Sequence, residues 1–123
     1  MKTKIFYDSY AIIEYVNGNF SYERYFKEYE GVTTLYDVME VFYIVLREEG
    51  EEKAKDVLDL LKPIIIYPTI EDAEKAMRFK LKHKEKKYSY ADCLGYIMAK
   101  INKIKFLTGN EGFRNIKNVE FVK

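Results

Sequence analysis

Three times along this chain a threonine or serine stands three residues ahead of an aspartate, with an amphipathic run behind it: Thr34 and Asp37, Thr69 and Asp72, Ser89 and Asp92. At that spacing a hydroxyl and a carboxylate can cap the free N–H groups of a helix reciprocally, so the pairs mark three helix starts. SYAIIEYVNGN adds an earlier helix that stops at the breaker Asn17-Gly18-Asn19, FSYERYFKEYE reads as a short one closed by Gly31, and EEKAKDVLDLLK as another. Between them lie KIFYD, IIIYP, KFLTG and VEFVK, each of strand length and rich in β-branched or aromatic residues. Strands alternating with helices require crossover connections, and hence a mainly parallel sheet covered on both faces. The expectation is an α/β fold: one domain over residues 1–123, a three-layer α/β/α sandwich with about four to five strands.

Several chemistries are disfavoured at once. With a formal net charge of +1, affinity for nucleic acid has to come from a local patch. The single cysteine, Cys93, excludes a disulfide framework and a cysteine-rich zinc site, as suits a reducing cytoplasm. The single histidine, His83, lies in the charged run RFKLKHKEKK, a poor setting for an oriented catalytic imidazole. No apolar run approaches the ~20 residues that span a bilayer, and no signal-peptide pattern opens the chain. A cytoplasmic protein is expected.

Acids are what remain. Open parallel sheets bind ligands outside the carboxyl ends of their strands, where the strand order reverses. Asp8 ends the first strand, either as a turn or helix-cap residue or as a site acid. Glu40 interrupts VMEVFYIVL, where a carboxylate near a buried face must be paired or metal-bound, unless its stem packs at the rim and its head reaches water. Asp92 is accounted for by its capping pair, and Thr108-Gly109-Asn110 closes a late strand.

Taken in order, FYDSYAI, DVMEVF, SYADCLGYIMAK and FLTGNEGF resemble the PIN-domain family, and within it the small VapC-type toxin nucleases. The similarity covers nearly the whole chain. It implies that Asp8, Glu40 and Asp92 are acidic metal-site residues, and that Asn110 takes a place where many members carry a fourth aspartate. Ser9 and Thr108 match as hydroxyls that orient carboxylates or water. Glu111 stands where it can restore part of the charge that Asn110 removes, and Tyr10 replaces a usually small residue.

The implied activity is hydrolysis of RNA phosphodiester bonds by an endoribonuclease. An all-oxygen site favours Mg²⁺ or Mn²⁺. Toxins of this type usually form homodimers held inactive by a small antitoxin, and Tyr22, Tyr25 and Tyr29 on one helical face are candidates for a partner surface. The basic run from Arg78 to Lys87 either attracts phosphates or solubilises a helix end. A PIN-like domain that has lost catalysis and binds RNA or protein is the alternative, motivated by Asn110 and Tyr10. A doubly wound nucleotide-binding or signalling domain is weaker still, because no Gly-rich loop follows the first strand.

Overall fold

A computed structural model describes residues 2–123. Within them five strands, β1 (Lys4–Tyr7), β2 (Glu30–Thr34), β3 (Ile65–Ile66), β4 (Lys105–Thr108) and β5 (Val119–Phe121), form one sheet ordered β3-β2-β1-β4-β5, every neighbouring pair parallel. The α-helices are α1 (Ser9–Val16), α2 (Phe20–Lys27), α3 (Leu35–Glu49), α4 (Glu51–Leu61), α5 (Ile70–Lys82) and α6 (Tyr90–Ile101). From β1 the chain steps outward to β2 and β3, then returns through α5 and α6 to β4 on the other side of β1. The strand order therefore reverses between β1 and β4. Asp8 follows the first of these strands and Gly109-Asn110 the second.

Alternation along the strands builds two cores. Ile5, Tyr7 and Leu107 face one side with α1, α2, α3 and α4, and Phe6 and Phe106 face the other with α5 and α6. Phe6, Phe106 and Phe113 are fully buried, and each ring contributes roughly 1.5–3 kcal/mol by leaving water. Gly95 lets α6 approach this layer, since a Cβ there would lie 2.8 Å from the Phe6 ring.

Three features depart from the expectations. EGVTT is a strand and not the tail of a helix: α2 ends at Lys27, and Glu30–Val32 pair with Lys4–Phe6 of β1. Its composition hides it, because Gly31 replaces an inward side chain and Thr33 is polar. A Cβ at Gly31 would sit 1.8 Å from the Tyr7 ring, and the buried Thr33 hydroxyl donates to Tyr7 O at 2.7 Å. IIIYP contributes only the two residues of β3, since Lys62–Ile64, with Pro63 inside it, forms a 3₁₀ turn. The tyrosines of α2 are not a partner surface. Tyr22 and Tyr25 are 0% and 5% exposed, and the Tyr25 hydroxyl donates to Glu120 Oε2 at 2.7 Å. Their helical spacing is that of a buried face.

Candidate active site

At the reversal point lies a cleft of about 690 Å³, lined by residues from α1, α3, α6 and the loop after β4. Asp8 enters it directly from β1. Its backbone is extended, so it caps α1, and its Oδ1 accepts from Ala11 N at 2.8 Å. The residue is 2% exposed. Burial pushes its carboxyl well above the usual range, with the charges of Asp37 and Asp92 adding to the rise, against the opposing Thr108 hydroxyl and Ala11 N–H.

Glu40 reaches the cleft from α3. It is an exposed rim residue between buried Val38 and Val41, so the cost of burying a carboxylate does not apply to it. The Ser9 hydroxyl donates to its Oε1. Asp92 arrives from the first turn of α6 and keeps its capping role: Ser89 N donates to Asp92 Oδ2 at 2.9 Å, and Asp92 N to Ser89 Oγ at 3.0 Å. Capping and lining the cleft are thus one placement, because a helix that starts at the carboxyl edge of the sheet turns its first residues toward that edge.

The loop after β4 supplies the fourth wall. Thr108 is fully buried beneath the surface, where its Oγ1 accepts from Asn110 N at 3.0 Å. Asn110 Oδ1 accepts from Gly112 N at 3.0 Å, an Asx turn that starts the 3₁₀ segment Glu111–Phe113. The amide oxygen is therefore engaged by its own loop. Glu111 lines the cleft, but its oxygens face Arg114 at 2.8 and 2.9 Å and Lys123 at 3.4 Å, contacts that hold its carboxyl down at about 2. Its charge is already compensated.

The sequence profile of the PIN domain matches residues 5–119. The chain belongs to the PIN-domain family. Solved structures share its fold across almost the whole length. One is Mycobacterium tuberculosis VapC20, a toxin that cleaves the sarcin-ricin loop (TM-score 0.80, 18% identity, 97% of this chain and 99% of that one). Another is a toxin-antitoxin complex from Klebsiella pneumoniae (TM-score 0.75, 18% identity, 94% and 95%). A third is VapBC2 from Rickettsia felis bound to a DNA fragment from their promoter (TM-score 0.72, 15% identity, 98% and 98%). Comparison by sequence with characterised proteins gives no match.

In this PIN domain the cleft contains Asp8, Ser9, Glu40, Asp92, Asn110 and Glu111 together, with Thr108 directly below. His83 and the six cations of the basic run do not line it. His83 closes α5 with its ring 4.5 Å from that of Phe79, and burial pushes the Cys93 thiol up to about 11, so neither offers a nucleophile or ligand here.

Sequence reasoning missed Asp37. Its spacing from Thr34 is that of a capping box, and half of one forms, with Asp37 N donating to Thr34 Oγ1 at 3.3 Å. The carboxylate turns elsewhere. Its Oδ1 accepts from Ser9 N at 3.2 Å and its Oδ2 from the Thr34 hydroxyl at 2.8 Å. Burial pushes this acid up to about 7, helped by the charges of Glu40 and Asp92. Nothing in the spacing separates this pair from the two complete boxes at Thr69 and Ser89. Glu14 and Lys123, also on the cleft wall, carried no motif.

The donor chemistry fits a hard divalent cation: carboxylates from three separate elements, no imidazole and no thiolate among the lining residues, and a buried Asp8 whose charge a nearby cation would stabilise. As they stand, no three of the described acidic, histidine or cysteine side chains are gathered around one point. Ser9 holds one Glu40 oxygen and Ser89 holds one Asp92 oxygen, which leaves Glu40 Oε2 and Asp92 Oδ1 to turn toward an ion.

Proposed function

We propose that this PIN domain is a divalent-metal-dependent endoribonuclease of the VapC toxin type. The observation that carries the reading is the convergence of Asp8, Glu40 and Asp92 on one cleft at the reversal of strand order, with Asp8 held there against the cost of burying its charge. A buried carboxyl so displaced is a functional-site marker, and phosphodiester hydrolysis is the chemistry that an all-oxygen acidic cleft serves without a histidine.

In this mechanism Asp8, Asp92 and Glu40 would hold Mg²⁺ or Mn²⁺, which would supply an activated water and neutralise phosphate charge. The protein does the rest by positioning. Ala11 N–H and the Thr108 hydroxyl fix the Asp8 carboxylate, and the Ser9 hydroxyl fixes Glu40. Asp37 locks Ser9 in turn. Tyr10, Ile13 and Ile44 form an apolar wall suited to a base or ribose beside the acids.

An antitoxin partner and a homodimer belong to the same reading. Its support is the toxin-antitoxin character of the structural relatives, together with Leu35, Tyr36, Met39 and Tyr43 of α3, which form an exposed apolar row.

The test is cleavage of a mixed-sequence single-stranded RNA in Mn²⁺, Mg²⁺ or EDTA by wild type and Asp8→Asn. Metal-dependent cutting lost in Asp8→Asn supports the nuclease. A wild type that cuts nothing and binds no Mn²⁺ favours the catalytically silent binding module, the reading to which Asn110 and the ungathered acids lend weight.

A further inference from the structure

The cleft has an electrostatic problem. Asp8, Glu14, Glu40, Asp92 and Glu111 all line it, and an RNA phosphate brings more negative charge. Among the described residues that line it, Lys123 is the one cation.

Its position is built by several contacts. β5 pairs with β4 in register Thr108 to Phe121, and just beyond that pair Val122 N donates to Thr108 O at 2.9 Å. The Tyr22 hydroxyl donates to Val122 O, and Asn19 Nδ2 donates to Lys123 O at 3.3 Å. Gly109 permits this closeness, since a Cβ there would meet Val122 O at 2.4 Å and the Tyr10 ring at 2.3 Å. The Lys123 ammonium then donates to Gly109 O at 3.1 Å and sits 5.3 Å from the Tyr10 ring centroid. It is held beside Asn110, an uncharged amide on the same wall of the cleft.

The head group is also free to engage a ligand. Its side chain is 54% exposed, and its contact with Glu111 is the looser of that acid's two partners, 3.4 Å against the Arg114 fork at 2.8 and 2.9 Å. Arg114 keeps Glu111 neutralised if Lys123 turns to a phosphate. Tyr10, the bulky residue where a small one was expected, is the platform under the ammonium.

Resting on the nuclease reading above, we infer that Lys123 is a catalytic residue whose ammonium takes a phosphate oxygen of the RNA, a fixed cation that replaces a second divalent ion on the Asn110 side of the cleft. Asparagine and lysine act as a pair: the amide lowers the site's hold on a second ion, and the ammonium provides the positive charge in its place.

The test combines calorimetric Mn²⁺ titration, binding of a single-stranded RNA oligomer kept intact by EDTA, thermal melting and RNA cleavage. The variants are Lys123→Met, Lys123→Arg, and Asn110→Asp combined with Lys123→Met. Wild type is expected to bind one Mn²⁺. Lys123→Met keeps that ion and the wild-type melting temperature, binds the oligomer more weakly, and loses about a hundredfold in cleavage. Lys123→Arg recovers most of the loss, and the double variant takes up a second Mn²⁺ and regains cleavage. Two ions in wild type, or Lys123→Met cutting as fast as a wild type that does cut, overturns the proposal and leaves the nuclease reading intact. A wild type that cuts no RNA removes that reading. Lys123 is then decided by the oligomer: weaker binding in Lys123→Met upholds the phosphate contact, and equal binding overturns it.

Discussion

Ser9 N–H donates to Asp37 Oδ1 at 3.2 Å, and this bond ties the first turn of α1 to the first turn of α3 beside the cleft. The Ser9 hydroxyl on the same residue holds Glu40. One buried acid thus fixes the two walls from which Asp8 and Glu40 project.

Asp37 makes stability depend on pH. Its folded value of about 7 lies above its ordinary 3.8, so between these the folded state holds the extra proton. Stability in EDTA is therefore full below about pH 4 as far as this group is concerned, and falls as pH rises through about 7. Asp37→Asn removes that slope, whereas Asp37→Ala orphans the Ser9 N–H and the Thr34 hydroxyl and costs about 2–3 kcal/mol. Urea unfolding at pH 5 and pH 8 measures both, and a flat wild-type profile contradicts the assignment.

Burying Asp8 costs stability. Asparagine preserves the cap on Ala11 N and removes an ionisable group that burial penalises, so Asp8→Asn in EDTA at pH 8 melts above wild type. Mn²⁺ raises the wild-type melting temperature and not the variant's. A variant that melts lower in EDTA shows that the charge is not a burden there.

Glu40 lies on the rim, so its loss separates activity from folding. Glu40→Gln keeps urea stability within about 0.5 kcal/mol while abolishing metal-dependent RNA cleavage. Cleavage at the wild-type rate removes Glu40 from the site.

Gly109→Ala tests how tightly β4 meets β5. The added methyl runs into Val122 O and the Tyr10 ring, and the cost is about 1–3 kcal/mol in urea unfolding. Combining it with Tyr10→Ala relieves the ring contact but not the backbone one, so the double variant stays less stable than Tyr10→Ala alone.

Much of the fold was legible because period and capping agree: α1, α3, α4, α5 and α6 fall on the expected runs, and β1 and β4 on the apolar stretches that precede the site. β2 escaped because its inward positions are glycine and threonine, residues chosen by the Tyr7 ring and the Tyr7 carbonyl of the neighbouring strand. Asp8, Glu40 and Asp92 were singled out by their order along the chain, and the structure brings all three to one cleft. Asp37 was not, since identical spacing at Thr34, Thr69 and Ser89 yields two complete boxes and one that turns its carboxylate to Ser9. Tyr22 and Tyr25 misled because a regular aromatic spacing says which face of a helix is apolar, and not whether the sheet already covers it.

The reversal of strand order also has a meaning in time. β1 forms its pair with β4 only after residue 105, and the wall opposite Asp8 comes from residues 109–111. A ribosome that has released the first hundred residues has delivered Asp8, Glu40 and Asp92 without the strand that closes the cleft around them. Order of synthesis therefore leaves the cleft open on one side until β4 and β5 dock, so its last wall is the last part of the site to form.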